Sequence, residues 1–224
     1  MRRFFRNNGL SLALLVLFAL SLGGQVFAGH REYNENRGEH GQPPVGVGEY
    51  LAAGHFWGAL GENWESEFLQ MAAFVLLTCW LYQKGSPESK KLDDVGRGSD
   101  REQQVGRYAD EHSPRWARAT GLRQTLFANS LGAVMGLIFL LSWLTQSIAG
   151  VAAFNERQLA DLQDPVSWGA YLSEPEFWNR TMQNWQSELL AVASMAILSI
   201  YLRQRGSSQS KPVGASHEAT GVEG

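Results

Sequence analysis

Residues 63–67 read NWESE and residues 184–188 read NWQSE, and each word places a carboxylate just before a run of apolar residues. The second word lies 121 positions after the first, and the same shift, without a gap, pairs much more of the chain. It aligns Asn8 with Asn129, Gln25 with Gln146, Ala28-Gly29 with Ala149-Gly150, and Asn34-Glu35 with Asn155-Glu156. It continues through QPPVGVGEYL against QDPVSWGAYL and Phe56-Trp57 against Phe177-Trp178, and ends with QKGS against QRGS. Roughly a third of about 85 paired positions are identical, which marks an internal duplication. One plan has been written twice.

Composition hides that plan. A formal charge of −3 with 18% charged residues suits a soluble domain. The apolar residues are nevertheless gathered into four blocks, 10–28, 68–82, 122–148 and 189–202, with the charges almost wholly between them. A hydrocarbon core of about 30 Å needs about 18 to 20 apolar residues at a rise of 1.5 Å each. The first and third blocks meet that length, and the second and fourth fall short. The single cysteine, Cys79, stands inside an apolar block, where it packs as a small hydrophobe and forms no internal disulfide.

Two readings of the first block compete. A basic start, an apolar middle and small residues up to Ala28 describe a cleaved secretory signal. Its counterpart in the second copy is an internal block, which favours a retained membrane helix. Each copy then holds a span, an outer loop of about 40 residues and a second span. Of the 19 Lys and Arg, only Arg31, Arg37, Arg157 and Arg180 stand in the two long loops. The others precede the first span, lie between Lys84 and Arg123, or follow the last span. That bias puts both termini and the central linker on the cytoplasmic side. The two hairpins then share one orientation and are related by a pseudo-two-fold axis along the membrane normal, unlike the inverted repeats of many transporters.

The short blocks extend outward. Ser173-Glu174-Pro175-Glu176 has the pattern of a capping box, and a helix from there to about Arg205 spans roughly 46 Å. Its outer half carries Phe177, Trp178 and Trp185, matched by Phe56, Trp57 and Trp64, and these six predict an interfacial aromatic belt. Measured back from Arg203, Glu188 lies about 22 Å along the axis, and Glu67 lies about 25 Å from Lys84, so both fall within or at the edge of the hydrocarbon region. Ionisable groups at that depth need partners. Asn63 and Glu67, like Asn184 and Glu188, are i,i+4 neighbours on one helix face. The candidate cluster is Gln25, Asn63, Ser66 and Glu67 with its copy Gln146, Asn184, Ser187 and Glu188. It reads as a structural tie between span and loop, as a paired-carboxylate site for a cation, a proton or a small polar ligand, or as an anchor facing lipid or a partner.

Other features weigh less. His30, His40 and His55 have counterparts Val151, Asp161 and Glu176 and no helical ligand spacing, so no metal site is expected. Gly132-x-x-x-Gly136 is a close-packing motif matched in the first copy by Ser11 and Leu15. Ser113-Pro114 opens a further helix, with Arg115, Arg118 and Arg123 around Trp116 forming a basic interfacial ramp. No phosphate-binding glycine loop, zinc spacing or nucleophile motif is found, and no catalytic residue, enzyme activity or cofactor is expected.

The repeated Asn-Trp-x-Ser-Glu word, the preceding Phe-Trp and the paired spans resemble a bacterial family of small four-span membrane proteins catalogued only as a domain of unknown function. The resemblance covers residues 1 to about 206. It implies a bacterial integral membrane protein and supplies no activity.

The expected architecture is all-α, an integral membrane four-helix bundle made of two tandem helical hairpin repeats with pseudo-two-fold symmetry. Residues 1–86 form the first hairpin, 87–113 a flexible cytoplasmic linker, 114–206 the second hairpin, and 207–224 a disordered cytoplasmic tail. The expected role is a non-enzymatic structural or interaction protein of the bacterial inner membrane. The alternative is a small ion, proton or solute conduit using Glu67 and Glu188. Partners are the lipid bilayer and either a second copy or an envelope protein, with no nucleic acid.

Overall fold

A computed structural model describes residues 2–94 and 96–222. Met1, Val95, Glu223 and Gly224, which belong to the first hairpin, the linker and the tail, lie outside the described residues, as do the side chains of Arg2, Arg3 and Arg6 used above for orientation. Among the described residues every regular element is helical: α1 Arg2–Asn7, α2 Gly9–Glu39, α3 Val47–Ala52, α4 Gly54–Trp80, α5 Leu122–Ala128, α6 Ser130–Ala160, α7 Trp168–Tyr171 and α8 Pro175–Tyr201, with two single 3₁₀ turns in the segment between α4 and α5. The all-α expectation is met. Helices α2 and α6, 31 residues each, are long and apolar enough to cross a membrane. Helices α4 and α8 have 27 residues each, about 40 Å, but their first halves carry the Asn, Gln and Glu of the repeated words.

The helices and the loops divide the chain differently from the reading above. Helix α2 continues past its apolar block to Glu39, and α6 to Ala160, so the outer loops shrink to short connections that hold α3 and α7. Residues 29–39 stay helical although Gly29, Asn34, Asn36 and Gly38 are poor helix formers, because Arg31 pairs with Glu35 one turn on, at 3.2 Å, and Tyr33 and Asn34 are tied to Glu156 and Val45. Helix α8 begins at Pro175 rather than Ser173; the Glu176 carboxylate accepts from Arg157 instead of closing a capping box. Ser113-Pro114 opens a turn, not a helix, because Ser113 is bound to Asp110.

The chain falls into two compact units, residues 1–61 with 144–177, and residues 62–143 with 178–224. In the first unit each copy is closed by one device. The Asn34 side chain donates to the Val45 carbonyl at 3.0 Å and accepts from the Val45 amide at 2.8 Å; Asn155 does the same to Val166 at 2.9 and 2.8 Å. A backbone mimic of this kind satisfies both main-chain groups where the chain turns back. Tyr50 and Tyr171, each only 2% exposed, then lie across the helix they return to, with their hydroxyls against Gly29 and Gly150. Phe56 and Phe177 pack on those rings with centroids 5.6 Å apart in both copies. A Cβ at Gly54 would stand 2.7 Å from the Ala149 carbonyl, so that glycine lets α4 approach α6.

In the second unit Gly132 packs on Leu76, where a Cβ would come within 3.2 Å of its side chain, while Gly136 faces open space. Only the first half of the glycine motif is therefore a contact. Phe139 and Trp143 of α6 stack at 6.1 Å, and Trp185 of α8 lies 5.9 Å from one and 6.0 Å from the other. The chain leaving α4 and the chain leaving α8 make the same turns. The Gln83 and Gln204 amides donate to Ser89 and Ser210 at 2.8 and 2.9 Å, and the Lys90 and Lys211 ammonium groups reach the Gly96 and His217 carbonyls at 2.6 and 3.0 Å. The duplication thus runs past QKGS and QRGS to about residues 97 and 218, through the segment expected to be a disordered tail.

Candidate functional site

The polar groups of α4 and α8 meet within the second unit. Residues three and four apart share a helix face, so Glu62 and Glu65 stand together on α4, as do Arg180, Thr181, Asn184 and Trp185 along α8. The Asn184 amide donates to Glu62 at 3.0 Å, and the Arg180 guanidinium lies 3.6 Å from the other Glu62 oxygen. Glu65 has no exposed surface; its carboxylate lies beside the Trp185 indole and feels the charge of Glu62. Thr181 is equally buried, and its hydroxyl has no hydrogen-bond partner among the described residues. Glu62 is thus held from α8 by an amide and a guanidinium, while Glu65, one turn further along α4, is enclosed beside the indole.

The residues singled out from sequence are divided. Half-buried Gln25 and buried Gln146 belong to the first unit; Asn63, Ser66, Glu67, Asn184, Ser187 and Glu188 belong to the second. Ser66 and Ser187 both donate back to their own helices, to the Asn63 and Asn184 carbonyls at 3.0 and 2.8 Å. Glu67 is exposed and Glu188 half-buried, and each lies within electrostatic reach of the other. Of the six aromatics, Phe56 and Phe177 are buried under the loops, while Trp57, Trp64 and Trp178 keep 46%, 38% and 43% of their surface and Trp185 is half-buried against α6. The phenylalanines sit inward because they complete the tyrosine stack.

Glu62, Glu65, Arg180 and Thr181 join the group although the repeated words do not point to them: the copies differ at these positions. At the 121-residue shift they pair with Gln183, Gln186, Ala59 and Leu60. The copies thus differ in charge at neighbouring helix positions, acids gained or kept on α4 and a base on α8. Such complementary differences leave no repeated word in the sequence. The histidines are dispersed: His30 contacts the Val45 carbonyl at 2.8 Å, His40 the Asn36 carbonyl at 2.9 Å, and His55 the rings of Tyr33 and Tyr50. Among the described residues no group of three His, Cys, Asp or Glu is placed to hold a metal.

The profile of a family described as a domain of unknown function (DUF6766) matches residues 1–222, so the chain belongs to that family along essentially its whole length. No curated protein and no solved structure matches it.

Proposed function

We propose that this member of the family is a four-span protein of the bacterial inner membrane, with both termini cytoplasmic, acting as a non-enzymatic structural or interaction element of the envelope. One observation carries the reading: the loop device of Asn on a valine backbone, Tyr on Gly and Phe on Tyr is formed in both copies. Duplication has preserved packing on the outer side, the kind of surface that presents a fixed shape to a partner. Helices α2 and α6 supply two spans by length and composition. The inner halves of α4 and α8 are apolar, and their exposed leucines, Leu76, Leu77, Leu190 and Leu198, suit contact with lipid.

The second reading is a small ion or proton conduit. It is favoured by the proximity of Glu67 and Glu188, one carboxylate from each copy, on the two polar helix halves. The test compares wild type with Glu67→Gln, Glu188→Gln and the double variant for thermal stability in detergent and for proton and cation flux in vesicles. Loss of stability without flux in the wild type supports the structural role. Flux that the wild type carries and the double variant loses, at unchanged stability, replaces that role by the conduit.

A further inference from the structure

The chain leaving α8 does more than repeat the turns after α4; it folds over them. The Lys211 ammonium, 1% exposed, donates to the Gly85 carbonyl of the first copy at 2.6 Å as well as to the Ser216, His217 and Ala219 carbonyls of its own. The Gly85 amide donates to Thr220 at 2.8 Å, and the Gly221 amide to the Ser86 carbonyl at 3.0 Å. Between these two strands of turns a cleft of about 520 Å³ remains, lined among others by Tyr82, Lys84, Lys91, Glu218, Thr220 and Val222.

Its position and charge define a ligand. Trp80, Leu81 and Tyr82 are all exposed as α4 gives way to Lys84, an order of apolar, aromatic and then cationic residues that marks the boundary between acyl chains and headgroups. Lys90 and Lys211 are engaged with carbonyls, but Lys84 and Lys91 face the cleft, where Glu218 is the acid among the described lining residues and pairs with Lys84 at 3.3 Å on the solvent-exposed surface. Exposed pairs of this kind are weak and exchange readily. Two ammonium groups beside an aromatic and apolar wall match a phosphodiester bearing acyl chains; the Thr220 hydroxyl, bonded to the Gly85 amide and the Glu218 carbonyl, shapes the cleft without contacting the phosphate. The second copy cannot form the same site. There Tyr82, Lys84 and Lys91 become Arg203, Arg205 and Pro212, and Arg203 is spent on the Ser199, Ile200 and Ala215 carbonyls.

We propose that this cleft binds the phosphate headgroup of an anionic lipid of the cytoplasmic leaflet, with Lys84 and Lys91 as the cationic contacts and Glu218 as the group displaced. The inference rests on the membrane reading above. The full chain, purified in a neutral detergent, is titrated with dioleoyl phosphatidylglycerol, with dioleoyl phosphatidylcholine and with water-soluble glycerol 3-phosphate. Binding is read by native mass spectrometry and by thermal shift. The phosphatidylglycerol complex is expected to persist, to weaken roughly tenfold or more in Lys84→Gln/Lys91→Gln, and to strengthen in Glu218→Gln. Lys84 and Lys91 are exposed, so the lipid-free melting temperature of the double variant, expected unchanged, shows that folding is intact; the Glu218→Gln result stands independently of it. Equal retention of phosphatidylcholine, retention unaffected by all three substitutions, or glycerol 3-phosphate binding as tightly as the lipid overturns the proposal. Carbonate extraction of cell membranes separates the two levels: a chain released by carbonate refutes the membrane reading too, and a chain retained without lipid selectivity refutes this site alone.

Discussion

Residues 29–56 and 150–177 are closed by the same Asn-to-valine hydrogen bonds and the same Tyr, Gly and Phe contacts, whereas residues 59–65 and 180–186, the next stretch of the same two copies, differ in charge. The first pair holds Asn34 with Asn155, Tyr50 with Tyr171 and Phe56 with Phe177. The second sets Ala59, Glu62 and Glu65 against Arg180, Gln183 and Gln186. Packing constraints act on each copy separately: a tyrosine lying on a glycine has no smaller or larger substitute, so both copies keep both residues. Charges are constrained only as a set, so one copy can hold the acids while the other holds the base.

The tyrosines give the largest test of that contrast. Tyr50→Ala and Tyr171→Ala each remove a fully buried ring from the centre of a loop core, and each is expected to cost about 3–5 kcal/mol, measured as loss of thermal stability in detergent. Equal losses uphold the equivalence of the loops; a loss confined to one means that only one loop is needed for folding. Gly29→Ala sharpens the result, because its new methyl would overlap the Tyr50 hydroxyl. It should cost about 1–3 kcal/mol, and Tyr50→Phe in the same chain should recover part of that loss.

Much of this was legible in the sequence. The 121-residue shift pairs Gly29, Asn34, Val45, Tyr50 and Phe56 with identical residues, and all five turn out to be joined in one device. What the sequence did not disclose was their mutual contact, because glycine and tyrosine 21 positions apart carry no periodic signal. The reach of α2 to Glu39 was hidden for another reason: polar helical residues beyond an apolar block look like loop when only apolar periodicity is followed. The Glu62, Glu65 and Arg180 group escaped because its members lie on different helices and share no word.

The turns after α4 and α8 provide the next test, since one position has come to do unequal work. Lys211 donates to four carbonyls, one of them in the other copy, and Lys90 to one, that of Gly96. Lys211→Met is expected to cost about 2–3 kcal/mol and Lys90→Met about 1 kcal/mol, because each carbonyl left without its donor retains its desolvation cost. Trypsin cleavage after Arg203 or Arg205 in the folded chain should become faster in the first variant and not in the second. Comparable effects of the two would mean that the clasp onto Gly85 adds nothing.

A smaller and more symmetrical effect is expected at Asn34 and Asn155. Each alanine substitution removes a donor and an acceptor from one valine backbone, a loss of about 1–2 kcal/mol. Hydrogen exchange at the Val45 and Val166 amides should rise in the substituted copy alone. Protection lost in both copies from a single substitution would show that the loops open together, and would break the picture of two separately closed devices.

The smallest effect belongs to the part of the linker beyond residue 97, which has no counterpart in the duplication and so serves as the reference for what local hydrogen bonds achieve without packing. Asp110 accepts from the His112 and Ser113 amides at 2.8 and 2.9 Å, and Ser113 Oγ returns a bond to its carboxylate at 3.1 Å. Those donors, the His112 amide first, hold the Asp110 carboxyl below its usual range. A carboxyl whose pKa is lowered in the closed turn binds protons more readily when the turn is open. The turn is therefore fully favoured above the ordinary aspartate value of about 3.9 and is lost as pH falls through the lower value of the closed form. Exchange at the His112 and Ser113 amides, corrected for its intrinsic pH dependence, should stay constant from neutral pH to about 4 and lose protection below it. Asp110→Asn should remove that pH dependence while leaving the melting temperature of the whole chain unchanged. If the melting temperature falls as far as it does for Asn34→Ala, the linker is packed as tightly as the duplicated loops and the distinction between them fails.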